Sequence, residues 1–209
     1  MTISGNWFAS AMVQAFAGHI NWGSDAIKCA LMGSGYTPNL SSQVHWSDIS
    51  ANEATGTGYT AGGQTLTSKT LASTTGTAWG TAWAASTGYL YGAVVRPATA
   101  NGYLYLCSTA GTSGSSAPTW PTVQGETVAD GTAVWTCLGE SITQWGSAAP
   151  TWPASTINAY AAVIYDAQSG TPSTEPLVAC INFGGEVSTS GTTFEVQPSA
   201  LGWVWWVPG

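Results

Sequence analysis

The chain is heavily punctuated. Its apolar and alternating runs, among them "IKCALM", "YLYLC", "AVWTC", "NAYAAVIYD" and "LVACINF", are short and close on Gly, Pro, Ser or Asn. Strand-sized runs bounded by turn residues are the signature of an all-β chain. Nine strands are predicted, at 27–32, 63–71, 92–95, 103–107, 133–137, 158–166, 177–183, 193–196 and 203–207. Strands this close together leave little room for crossover helices, so a β-sandwich or barrel-like scaffold is expected rather than βαβ units. The exception is the N-terminal stretch, where Trp7, Phe8, Met12, Val13 and Phe16 recur at helical spacing and Gly18 supplies a stop. A short amphipathic helix over 6–17, packed on the sheet, is the prediction. A helical turn is also expected at Asp48-Ile49-Ser50.

Charge narrows the function. Of 209 residues only 6% are charged, against roughly 25% in ordinary soluble domains, while 44% are hydrophobic. Such a chain has a core but little charge to keep neighbours apart. Its surface is therefore expected to be occupied by other copies or other proteins; a secreted, Ser/Thr-rich β-protein is the alternative. The basic residues are Lys28, Lys69 and Arg96, and the net charge is −7. Three scattered cations make no phosphate-neutralising footprint, which argues against nucleic acid and against an anionic membrane surface. No apolar run approaches the roughly 18 residues of a membrane span. The N-terminus lacks the basic start and unbroken apolar stretch of a signal peptide.

The middle of the chain differs from its flanks. Between about Trp79 and Trp145 the strands are short and aromatic and enclose a long loop of small residues; on either side they are longer and more aliphatic. The pattern predicts a discontinuous scaffold (residues 1–78 and 146–209) with a small β-module (79–145) inserted at a loop tip, where insertions are tolerated. The word Ala-Pro-Thr-Trp-Pro occurs at 117–121 and again at 149–153, and the sequences that follow diverge at once. It is no repeat. Each proline restricts its neighbour, so the tryptophan between them is held stiffly. Trp152 is expected to lead into a scaffold strand and be buried.

Candidate chemistry is sparse. The ten carboxylates stand singly in loops; a glycosidase needs two across a cleft. Glu126 and Asp130, in "GETVADGT", read as a turn in which Asp-Gly supplies the backbone geometry. His19 and His45 lie beside Trp22 and Trp46 without a nucleophile and read as packing residues. No catalytic residue, cofactor or metal site is expected. Cys107 and Cys137 end two strand-like runs and form a possible disulfide, whereas Cys29 and Cys180 read as small buried hydrophobes. Among the 12 tryptophans, Trp120 on its stiffened loop is the best candidate for contact with a glycan or a partner, followed by Tyr105 and Trp135. The competing role for these rings is core packing in a module too small for an aliphatic core. In the C-terminal "WVWWV", Trp203 and Trp205 alternate with Val204 and Trp206, giving two apolar faces and a candidate interface at Trp203, Trp205 and Trp206.

Two resemblances add to this reading. The segment near 88–139, with Tyr103-x-Tyr105-x-Cys107, "AGTSGSSAPTWPT", "GETVADGT" and Trp135-x-Cys137, resembles the small aromatic modules of phage structural proteins, which are similar to the chitin-binding type 5/12 carbohydrate-binding fold. The flanking words "FAGHINWGSDAIKCALMGSGYTPNL", "EATGTGYTAGGQTLTSKTL" and "PLVACINFGGEVSTSGTTFEV" resemble a bacteriophage virion protein family. The resemblance implies a structural protein of the phage particle, made in the host cytoplasm without a signal peptide. A capsid decoration or cement protein displaying the module outward is the expected role; a tail or fibre-base component, or a glycan-binding adhesin for host attachment, is the alternative. Implied partners are the major capsid protein or tail proteins, further copies of the chain, and possible surface polysaccharide.

Overall fold

The computed structural model describes residues 5–206. In chain order its strands are β1 (Gly5–Trp7), β2 (Ile27–Met32), β3 (Gly56–Thr57), β4 (Gln64–Thr65), β5 (Thr70–Thr75), β6 (Gly88–Tyr89), β7 (Val94–Val95) and β8 (Leu104–Thr109). They continue as β9 (Gly111–Thr112), β10 (Thr127–Asp130), β11 (Ala133–Gly139), β12 (Ser141–Gly146), β13 (Thr151–Asp166), β14 (Leu177–Ser188), β15 (Thr192–Glu195) and β16 (Val204–Trp206). One α-helix, α1 (Ala11–Phe16), and three 3-10 turns complete the described elements. The chain is all-β with a short N-terminal helix, and no barrel closes among the described residues.

Two compact units divide the chain. Of the described residues, one takes 5–70 and Trp145–Pro198; the other takes Leu71–Gln144 and 199–206. That last segment was expected with the scaffold. It belongs to the second unit, where β16 pairs with β12. The predicted strand at 203–207 shortens to β16, and Val207 lies outside the described residues.

The first unit is organised on β13, whose 16 residues pair along their length with β15, then β3, then β14 and β2. Its burial follows the sequence. Ser155, Ile157 and Ala159 are buried while Thr156 and Asn158 are exposed, the period-two pattern of a strand with one open face. From Ala161 to Asp166 every residue is buried, because here β13 lies between β14 and β2, with Val163 opposite both Cys180 and Ala30. One face of this sheet packs Ala30, Met32, Val163, Tyr165 and Cys180 against Phe8, Ala11, Trp46 and Ile49. Trp46 stacks flat on Tyr165, with ring centroids 4.4 Å apart and planes 8° apart. Helix and 3-10 turns therefore cover this face. Burying each of these large apolar side chains contributes about 1.5–3 kcal/mol relative to exposure.

The N-terminal helix is shorter than its periodicity suggests. Residues 5–7 pair with the edge of β14 as β1, so the helix begins only at Ala11 and ends at Phe16, with Ala17 as its C-cap before Gly18 at φ +79°. Phe8 and Ala11 reach the core, whereas Val13 and Phe16 stand 69% and 82% exposed. Strand pairing takes precedence here because it satisfies backbone groups at a sheet edge, which a six-residue helix cannot do.

In the second unit a four-stranded sheet, β10-β11-β8-β7, is joined by the three-stranded β16-β12-β5 and the ribbon β6-β9. The run "LYLC" on β8 sends Tyr105 and Cys107 to one side and Leu104 and Leu106 to the other. Val95 and Val94 on β7 divide the same way. The sheet thus has an aromatic face, with Trp83, Tyr105 and Trp135, and an aliphatic one, with Leu138, Ile142 and Leu201. The β10–β11 hairpin turns at Gly131 (φ +62°), where any Cβ would also strike the carbonyl oxygen of Thr112.

Candidate functional site

The aromatic residues singled out from the sequence come together, but inward. Tyr105 and Trp135 are completely buried, and half-buried Trp120 packs over them with centroid distances of 4.3 Å to Tyr105 and 5.9 Å to Trp135. Trp83 meets Trp120 edge-on at 6.4 Å. These interplanar angles, 43° and 60° for the first two pairs and 81° for the third, are those of packed rings. A stacking platform would need coplanar, open faces. Tyr105 and Trp135 are therefore core residues and not contact residues. The Ala-Pro-Thr-Trp-Pro loop is pinned from beneath: Tyr105 donates its hydroxyl to Pro121 O at 2.9 Å and accepts from Asn101 Nδ2 at 2.8 Å. The second copy of that word begins β13, and its Trp152 is fully buried as expected.

Asp130, read from the sequence as a turn residue, is the polar centre of this core. It is 4% exposed, and its Oδ2 accepts from the indole N–H of Trp83 at 2.7 Å and of Trp135 at 2.9 Å. Its Oδ1 accepts from Gly114 N at 2.7 Å. Buried indole N–H groups need acceptors, and one carboxylate holds both rings and the neighbouring loop. No local signal distinguishes such an aspartate from one that merely shapes a turn.

The cysteines do not pair. All four are free and buried. Cys107 lies opposite Trp135 and Cys137 opposite Tyr105, so the two are diagonal neighbours rather than partners. Diagonal positions are about 7–8 Å apart, wider than a disulfide spans. Burial raises the Cys107 and Cys137 thiols and pushes Cys180 up to about 11, so none is a ready nucleophile. The C-terminal tryptophans also separate. Trp203 is buried, Trp205 packs on the aliphatic cluster, and Trp206 stands 52% exposed. Of the proposed interface trio, Trp206 is exposed, Trp205 is half-buried and Trp203 is buried.

Two depressions are described in the first unit. One, of about 590 Å³, is lined by Gln14, His19, Asp25, His45, Asp166 and Gln168 among others. His19 is exposed and bonded to Gln14 at 2.7 Å, so it is not the packing residue the sequence suggests. Asp166 is 1% exposed; its Oδ1 accepts from Gln168 N at 2.8 Å, while Oδ2 is buried without a hydrogen-bond partner. Burial, together with the adjacent Asp25 carboxyl, pushes Asp166 up to about 6.

The second is a groove of about 400 Å³ bordered by Ser34, Glu53, Thr156, Asn158, Tyr160 and Glu186. Thr156, Asn158 and Tyr160 are alternate residues of β13 and share its open face. Glu53 is placed by its bridge to Met32 on β2, and Glu186 by β14. Glu53 Oε1 accepts from the Tyr59 hydroxyl and from Gly62 N, each at 2.6 Å. Glu186 Oε2 accepts from the Tyr160 hydroxyl, also at 2.6 Å. Burial raises Glu53 above the usual carboxylate range. No local pattern marks this arrangement, because Glu53 and Glu186 border one groove only through the order of the sheet.

Among the described residues no three His, Cys, Asp or Glu side chains gather into a metal-binding set, and no helix is long and apolar enough to cross a membrane. Fold and site together define an all-β chain of two units, one built on an aliphatic sheet and one on an aromatic core, with a polar groove on the first. Comparison with family models, curated proteins and solved structures finds no match to this chain.

Proposed function

We propose that the chain is a structural protein of a bacteriophage particle, docked on the assembled capsid shell as a decoration or cement protein. The observation that carries this reading is the surface. Three basic and ten acidic residues serve the whole chain, while Val13, Phe16, Leu71, Leu90, Tyr91, Val123 and Trp206 stand between 47% and 82% exposed. Bulky apolar groups on a charge-poor surface are what a protein buries against neighbours in an assembly. The resemblance of the flanking sequence words to a phage virion family is the ground for naming the kind of assembly. Catalysis has no part in this reading.

The test is a binding and counting experiment. Purified chain is mixed with DNA-free capsid shells and separately with isolated tails, and bound copies per particle are counted. Saturation on shells at a fixed high stoichiometry, weakened by Phe16→Ser or Trp206→Ser without loss of folding, is expected. A dozen or fewer copies, confined to tails, replaces decoration with a tail role. Binding to neither overturns both.

A further inference from the structure

We propose that the groove bordered by Ser34, Glu53, Thr156, Asn158, Tyr160 and Glu186 binds a neutral saccharide. The inference is independent of particle docking and places the sugar site on the first unit, away from the aromatic module where sequence reasoning looked for it. Its basis is the chemistry of the lining. Each carboxylate is anchored through a single oxygen by a tyrosine hydroxyl at 2.6 Å, Glu53 by Tyr59 and Glu186 by Tyr160. The other oxygen of each is left available as an acceptor of fixed orientation. Between them Asn158 offers an amide and Thr156 and Ser34 offer hydroxyls, all three from exposed residues. The half-buried Tyr160 adds the groove's one aromatic ring.

Other ligand classes fit poorly. Sites for lipids, apolar peptides and drug-like molecules are predominantly hydrophobic, and the largest aliphatic side chain here is that of Ala54. Phosphorylated, sulfated or uronic ligands would meet two carboxylates and a lining without a cation, Lys28 acting on Glu53 from outside it. A transition metal would lack a third His, Cys, Asp or Glu ligand among the described residues. What remains is a ligand that donates and accepts hydrogen bonds from closely spaced groups and carries no negative charge. The hydroxyls of a neutral sugar do both. They donate to Glu53 and Glu186 and accept from Asn158 and the side-chain hydroxyls.

The full chain is titrated with maltotriose, cellotriose and tri-N-acetylchitotriose, with trigalacturonate as the anionic control, and followed by calorimetry and amide chemical shifts. At least one neutral trisaccharide should saturate, with shifts centred on residues 156–160 and 186, and trigalacturonate should not. A hydrogen bond to a charged partner is worth about tenfold or more in affinity and a neutral one about threefold to tenfold, so Glu186→Gln should weaken binding about tenfold and Asn158→Ala about threefold or more. Both residues are exposed, so the melting temperature should stay unchanged and a loss would report the site. Trp120→Ala should leave affinity unaltered. The proposal is overturned if none of the three neutral sugars binds, if binding survives both groove substitutions, or if it is lost in Trp120→Ala. Shell binding by the same preparations reads the particle hypothesis separately.

Discussion

The two units of this chain solve the same problem with different material. The first spreads small aliphatic residues along two long strands, β13 and β14, and covers one face of the sheet with Phe8, Ala11 and Trp46. The second has short strands and fills one face with Trp83, Tyr105 and Trp135. A short strand presents few side chains, so each must bury more area, and aromatic rings bury the most. Rings bring a polar handle with them, however. The buried carboxyl of the aliphatic sheet, Asp166, receives no indole, whereas the aromatic core needs Asp130 to receive two indole N–H groups. An aromatic-rich module is thus as well explained by packing as by ligand stacking, and burial decides between them.

The sharpest way to break this comparison is to remove the acceptor. Asp130→Ala leaves two buried indole donors and one backbone amide unpaired and should destabilise the second unit by roughly 3–5 kcal/mol. Amide exchange should show lost protection in β8, β10 and β11 with β13 and β14 unchanged. Uniform loss in all five strands, or none, would remove the asymmetry. In the first unit the counterpart is Asp166, a buried carboxyl without such donors. Because its folded pKa lies near 6, above the value of about 4 in an unfolded chain, its contribution is fully present below about pH 4 and lost as pH rises through 6. The loss should amount to about 2–3 kcal/mol, and Asp166→Asn should flatten that part of the stability–pH curve. A wild-type curve flat between pH 4 and 7 would contradict the assignment. The smallest effect concerns the cysteines. Cys107→Ala should cost only about 1 kcal/mol, the loss of a small buried hydrophobe, where breaking a disulfide would cost roughly 2–5 kcal/mol. Unfolding without reductant should release four titratable thiols; a count of two would restore the bridge.

Several elements were legible before the structure. The strand at Ile27–Met32 is where the alternation puts it, β13 and β14 contain their predicted cores, and 3-10 turns flank Ile49. Period-two burial and turn residues act locally, so they leave a local trace. The extension of β13 back through Pro153 was not legible, since a proline inside a run ordinarily marks a strand edge. Here the strand carries a register shift between Trp152 and Ser155, with Ala154 at φ +49°, and so accommodates it. The start of the helix was misplaced for a similar reason: the preference of residues 5–7 is set by an open edge of β14, more than 170 residues away along the chain.

What the sequence by itself determined is the class: an all-β chain, poor in charge, with an aromatic middle between aliphatic flanks. Those properties are sums and periods, and they survive without knowledge of neighbours. Tertiary structure alone decided which rings face inward, that Asp130 is a hub, that Cys107 and Cys137 sit one row out of register, and that Glu53 and Glu186 border one groove. Each of these depends on strand register and sheet order, which bring distant residues together by pairing that no local pattern encodes.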